Sequence, residues 1–127
     1  MLDPTVHELA TGKNFAALTT LFRDGSAQTQ MMWVDADSDH LLINTEVHRQ
    51  KYKNMHRDPR VTVTVFDATN PYHYAEVRGR VVEEVRGEPA RAHIDKLSQK
   101  YMGGPYGAPI GSERVMLKIA PESQRAQ

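Results

Sequence analysis

The stretch Arg60–Val85, RVTVTVFDATNPYHYAEVRGRVVEEV, decides the fold. Between Arg60 and Asp67, Val61, Val63 and Val65 alternate with Thr62, Thr64 and Phe66. A period of two puts the valines on one face of a strand, and β-branched side chains suit that pleated surface. Asn70-Pro71 marks a loop, and alternation then resumes from Tyr72 to Val85. Ala75, Val77, Gly79 and Val81 share one face, with Glu76, Arg78 and Arg80 on the other. Two half-buried strands with a short connection pair antiparallel. Gly79, inside the second, marks a bend or bulge of the kind a closing barrel needs.

The same signals continue towards the N-terminus. Asn14–Phe22 (NFAALTTLF) reads as a strand, Asp24-Gly25 as a hairpin turn, and Ala27–Asp35 (AQTQMMWVD) as the return strand. Asp37-Ser38-Asp39 is a turn before a third strand, His40–Asn44 (HLLIN). Glu46–Arg57 lacks β-branched runs and reads as a helix that Asp58-Pro59 ends. Asp3-Pro4 opens a short helix that stops at Gly12. On the C-terminal side, Gly87-Glu88-Pro89 opens a helix with Ala90, Ile94, Leu97 and Tyr101 on one face. Gly103–Gly111 (GGPYGAPIG) is a loop, Arg114–Ala120 (RVMLKIA) a last strand, and Pro121–Gln127 a polar tail expected to fray. The expected fold is mainly β with peripheral helices: a six-stranded antiparallel barrel, closed or nearly so. A doubly wound fold needs regular strand–helix alternation, which is absent.

Composition narrows the function. A chain of 127 residues is one domain. It has 16 Lys+Arg against 16 Asp+Glu, so no excess positive charge draws it to nucleic acid or anionic membrane. It has no cysteine, hence no disulfide, thiolate nucleophile or cysteine-held metal. No apolar run approaches the ~20 residues of a membrane helix, and no secretion signal is visible, so a cytoplasmic protein is expected. No metal site is expected either, because His7-Glu8 is followed by Thr11 where HExxH needs its last histidine. GxSxG, a P-loop and a strand–GxGxxG–helix are all missing. An enzyme built on this chain therefore needs a cofactor that carries the chemistry.

Three segments are candidates for holding one. Asn44–Asn54 (NTEVHRQKYKN) places a strand end, Thr45 as a helix cap, and Arg49 and Lys51 in the first turns. Helix N-termini with Arg and Lys suit phosphate, although a basic helix is also an ordinary solvated face. From Glu46 to Arg57, four basic residues stand against one acid. Gln28–Trp33 (QTQMMW) mixes amides with methionines and the only tryptophan, which fits either plain core or a wall for a flat aromatic ligand. Asn70–Tyr74 (NPYHY) is either an exposed turn, a pocket wall or a dimer contact. The Gly103–Gly111 loop, with Tyr106, is either a mobile lid or a connector.

Four stretches in this order resemble the split-barrel flavoproteins related to pyridoxamine-phosphate oxidase: NFAALTTLFRDGSAQTQMMWVD (14–35), LLINTEVHRQKYKNMHRDPRVTV (41–63), NPYHYAEVRGRV (70–81) and LSQKYMGGPY (97–106). The likeness is strongest to actinobacterial reductases that use the deazaflavin coenzyme F420. It implies an F420-dependent oxidoreductase passing a hydride from the reduced cofactor to a small organic acceptor, an activated C=C bond. The alternatives are an FMN-binding oxidase or reductase of the same fold, or a non-catalytic cofactor carrier. By the same resemblance, Arg49 and Lys51 hold the cofactor phosphate. Asn44 and Thr45 lie beside the ring system and ribityl chain, and Asn54 belongs to the same segment. Gln30, Met31, Met32 and Trp33 lie on the strand along the ring. The site sits between two subunits of a homodimer, with Pro71, Tyr72 and Tyr74 supplied by the partner. The ending RVMLKIAPESQRAQ (114–127) has neither the oxidases' Arg/His substrate segment nor the aromatic tail of other deazaflavin relatives, so vitamin B6 phosphate is not the expected substrate.

Overall fold

The computed structural model describes residues 1–127. Its elements are α1 (Pro4–Thr11), β1 (Phe15–Leu21), β2 (Ala27–Met32), β3 (Asp35–Ala36), β4 (Leu41–Glu46), α2 (Gln50–Arg57), β5 (Arg60–Asp67), β6 (Asn70–Arg86), α3 (Glu88–Met102) and β7 (Arg114–Ala126). All seven strands form one antiparallel sheet in the order β2-β1-β5-β6-β7-β4-β3.

The two edges of this sheet are consecutive in the chain. Laid flat, seven strands would hold their outer pair about 29 Å apart. From Met32 at the end of β2 to Asp35 at the start of β3 are three Cα steps, which span at most about 11 Å. The sheet must therefore roll until its edges nearly meet. Trp33 and Val34 cross the gap between them without joining either strand. The result is a split barrel with one open seam.

Alternation fills its interior as expected. Val63 pairs with both Leu18 and Val77, and Val65 with Ala16 and Ala75, so all share the inner face. Across β4 and β7, Ile43 pairs with Leu117 and Leu41 with Ile119. Val63, Val65, Val77, Ile43, Leu117 and Ile119 are fully buried. Helix α1 closes the core with Val6, Leu9 and Ala10, and α2 adds Tyr52 and Met55. Gly79 is indispensable: a Cβ there would stand 2.2 Å from the Ala120 carbonyl oxygen, where β6 and β7 shift register. No helix is long and apolar enough to cross a membrane.

Five expectations change. There are seven strands, not six, because the return strand breaks at Trp33–Val34 into β2 and β3. Thr45 lies inside β4 and does not cap a helix; the strand continues to Glu46, since Thr45 pairs with Val115 and Glu46 with Arg114. Helix α2 accordingly begins at Gln50, with Arg49 at its N-cap. Asn70-Pro71 opens β6, and the turn is Ala68-Thr69. The tail is not frayed: Pro121 to Ala126 continue β7, with Gln124 opposite Val77 and Ala126 opposite Ala75. Backbone pairing along the long β6 holds this polar segment.

Candidate functional site

Beside the seam lies a cavity of about 650 Å³ with two chemically different walls. One is cationic. Arg49 and Lys51 come from the start of α2, Arg114 from the start of β7, and Asn44 and Thr45 from the end of β4. The other is apolar. Met32 and Trp33 come from the seam, Ile94, Leu97 and Met102 from α3, and Pro105 and Ala108 from the loop after it. The volume falls in the range of small-molecule and cofactor sites.

The cationic wall is organised around Glu46, whose side chain is 1% exposed. Its Oε1 accepts the Gly111 and Ser112 backbone N–H groups, each at 2.7 Å. Its Oε2 lies 3.5 Å from both Arg49 Nη2 and Arg114 Nη1. Burial alone would raise the Glu46 carboxyl; the Ser112 and Gly111 N–H groups with Arg114 and His48 outweigh it and hold the pKa below the usual carboxylate value. Two guanidinium groups thus share one carboxylate, and Lys51 adds a third cation to the wall. The excess shows on Lys51, where burial, Arg49 and Arg114 together depress the ammonium pKa. Burial likewise lowers Arg114, opposed by Tyr106 and Glu46. An anion entering here relieves that repulsion. The Thr45 hydroxyl, 2% exposed as a residue, has no hydrogen-bond partner. A buried hydroxyl left unsatisfied costs free energy, which an acceptor on a ligand recovers. The first N–H groups of α2, free by helix geometry, start at this same wall.

The apolar wall is stiffened by aromatic contacts. Trp33 stacks on Tyr101 at 5.0 Å with 4° between planes, and Tyr106 meets Trp33 edge-on at 6.3 Å. Arg114 lies over the Tyr106 ring at 5.3 Å, joining the two walls. Helix α3 also serves the backbone at the seam. The Tyr101 hydroxyl accepts the Val34 N–H at 3.2 Å and donates to the Asn14 carbonyl. Lys100 Nζ donates to the Val34 carbonyl at 2.6 Å and to Ala10 at 3.1 Å. Burial pushes the Tyr101 phenol up to about 12 and the Lys100 ammonium down to about 8.

Of the residues expected from the sequence, Met32, Trp33, Asn44, Thr45, Arg49 and Lys51 line this cavity. The others lie elsewhere. Gln30 sits on β2 opposite Leu18 and is exposed. Met31 points to the outer side and is 56% exposed. Asn54 is fully buried and its amide is spent within the fold: it donates to Thr20 and Gln28 and accepts from Gln50. Pro71, Tyr72 and Tyr74 belong to the β5–β6 hairpin, which forms no part of this chain's cavity. The sequence reading missed Arg114 and the α3 residues Ile94, Leu97 and Ser98. The helix face holding Ile94 and Leu97 was visible, whereas Arg114 reaches the site only through β4–β7 pairing.

The family model for pyridoxamine 5'-phosphate oxidase matches residues 2–127. A solved F420 reductase superposes with a TM-score of 0.84 at 32% identity, over 99% of this chain and 100% of that one. A conserved protein from Mycobacterium tuberculosis gives 0.78 at 21% identity, over 99% and 84% of the two chains. General Stress Protein 26 from Bacillus anthracis gives 0.70 at 16%, over 94% and 88%. The last two share the fold alone. No curated protein sequence matches. Because the family match takes in every strand of the rolled sheet and every side chain of the cavity, the chain belongs to the pyridoxamine 5'-phosphate oxidase-like split-barrel family.

Proposed function

We propose that the protein is a cytoplasmic oxidoreductase that binds the deazaflavin coenzyme F420 and passes a hydride from its reduced form to a small organic acceptor, an activated C=C bond. One observation carries this reading: the unpartnered Thr45 hydroxyl is buried among Arg49, Lys51 and Arg114 in the cavity that Trp33 and Met32 wall. A ligand with an anionic group at one end and a flat apolar body at the other fits both walls. The 32% identity to an F420 reductase over the whole chain supports the deazaflavin among such ligands.

When bound, the reduced deazaflavin supplies the hydride. The chain's own part is binding and orientation. Arg49 and Lys51 would hold the phosphate by charge, and the Thr45 hydroxyl would add a hydrogen bond. Asn44 would lie beside the bound ring system, and Met32 with Trp33 would give the ring an apolar surface. The loop from Pro105 to Ala108 borders that side of the cavity. Hydride transfer asks mainly that donor and acceptor be aligned, which such walls provide without a catalytic acid or base. The working unit is a homodimer in which Pro71, Tyr72 and Tyr74 of each hairpin serve the partner's site. Tyr72 is 80% exposed in the single chain, which supports that role.

A second reading, FMN in the same cavity, is favoured by the family model for pyridoxamine 5'-phosphate oxidase. Titration of Trp33 fluorescence with F420 and with FMN separates the two. Saturable quenching by F420 in the micromolar range, and steady-state oxidation of F420H2 by an enone, is the expected outcome. Tight FMN binding with no response to F420 replaces the first reading by the second. F420 binding without turnover on any acceptor leaves a carrier. Sedimentation velocity at micromolar concentration tests the dimer.

A further inference from the structure

Behind the cationic wall runs a chain of polar contacts that the cofactor reading does not use. Asp35 and His93 are both buried, on β3 and α3. Asp35 Oδ2 lies 3.1 Å from His93 Nε2 and 3.2 Å from Lys96 Nζ. On its other side, His93 Nδ1 lies 3.0 Å from Asn44 Nδ2. Asn44 Nδ2 also donates to the Ala90 carbonyl at 2.9 Å, and Asn44 Oδ1 accepts from Arg114 Nε at 2.9 Å.

The chemistry of these groups leaves one arrangement. A backbone carbonyl only accepts, so the Asn44 NH2 must face Ala90. Guanidinium Nε–H only donates, so the Asn44 carbonyl oxygen must face Arg114. The second Asn44 N–H then points at His93 Nδ1, which must accept. His93 therefore carries its proton on Nε2 and donates it to Asp35. Each member fixes the next, from a carboxylate at the seam to a guanidinium in the cavity wall.

We propose that Asp35 and His93 are positioning residues for Arg114. Through the Asn44 carboxamide they hold its guanidinium at the ligand's anionic end. This rests on the cofactor reading only for what Arg114 meets; the order of donors along the chain is independent of any ligand. Without His93 the Asn44 amide loses one of the two acceptors that set its orientation, and Arg114 loses a fixed acceptor. Its remaining carboxylate, Glu46, then competes with the ligand for the freed cation. Other charged groups facing the chain are Lys96 and Lys100 towards Asp35 and, at the far end, Glu46, Arg49 and Lys51 around Arg114.

The test uses the full-length protein and two variants, His93→Leu and His93→Gln; glutamine carries both a donor group and an acceptor group, as the neutral imidazole does. In the ligand-free wild type at neutral pH, long-range 1H–15N spectra are expected to show His93 as the Nε2–H tautomer. The Arg114 Nε–H resonance should be slowly exchanging. His93→Leu should speed that exchange at least tenfold and weaken F420, or FMN if that is the cofactor bound, by about tenfold. His93→Gln should restore both to within about threefold of wild type. A Nδ1–H tautomer, or a folded His93→Leu protein with unchanged Arg114 exchange, overturns the proposal. If wild type binds neither cofactor, the cofactor reading falls, while the tautomer and exchange results still decide the positioning.

Discussion

Trp33 and Tyr101 lie face to face, 5.0 Å between centroids and 4° between planes, so the cavity's only indole rests on the residue that serves the seam backbone. Tyr101→Phe keeps the ring contact and removes the hydroxyl from Val34 and Asn14. It should cost about 1–3 kcal/mol, because the Val34 N–H is then buried without a partner. Tyr101→Ala should cost about 3–5 kcal/mol by adding a cavity. Urea midpoints read at constant slope, with Trp33 emission followed alongside, distinguish the two.

At the cationic wall, Thr45→Val is the informative substitution. It removes a hydroxyl with no protein partner, so stability should stay within about 1 kcal/mol of wild type or rise. Cofactor affinity should nevertheless fall about tenfold. Thermal denaturation without ligand and fluorescence titration with it must therefore move independently; equal affinity for the two proteins removes Thr45 from the site.

Arg49→Ala together with Lys51→Ala should leave the fold intact, since neither residue belongs to the core cluster. Binding should fall by at least a hundredfold, with a weaker salt dependence than wild type. Unchanged affinity in the double variant would place the phosphate elsewhere.

Asp35 makes acid stability a reporter of its network. Burial would raise its pKa, but the His93 hydrogen bond, the Ala36 N–H and Lys96 outweigh burial and bring it to about 2 from an ordinary 3.8. The folded value is the lower one, so the contribution is complete above about pH 4 and is lost as pH falls towards 2. It amounts to about 2 kcal/mol. Asp35→Asn should flatten the stability profile across that window by this amount. Urea unfolding at pH 5, 4, 3 and 2 for both proteins gives the difference directly, with the other carboxylates cancelling.

Gly79→Ala should be among the most damaging single changes, about 3 kcal/mol or more. The added methyl meets a strand carbonyl at 2.2 Å, and backbone cannot step aside without unpairing β6 from β7. Gly104→Ala, with nothing within 4 Å of the added carbon, is the matched control and should change Tm by no more than a degree or two.

What was readable in the sequence was what is local. The valines of β5 and the inner-face residues of β6 declare themselves by period, and the Gly79 irregularity falls where a glycine interrupts that period. Pro121–Gln127 misled because ladder hydrogen bonds are made by backbone, and the side chains of an outer strand end carry no apolar signal. The break at Trp33–Val34 was invisible for a different reason: it arises from rolling the whole sheet, which no window of residues contains. Arg49 and Lys51 were found because cation and helix start are neighbours in sequence. Arg114 and His93 were not, since one arrives through β4–β7 pairing and the other through the packing of α3 across β4. Asn54 looked like a ligand residue by its place in a basic segment, yet it is buried at the barrel wall.

Strand register governs tolerance to substitution over most of this sheet, because a residue inside the ladder answers to a partner on each side. Trp33 and Val34 answer to none; side chains of α3 hold the Val34 amide and carbonyl instead. The side chain that the cavity wall carries at Trp33 can therefore change without disturbing the pairing of any strand, whereas Val34 is fixed in the core. Variation at Trp33 is thus uncoupled from the strand register that builds the barrel.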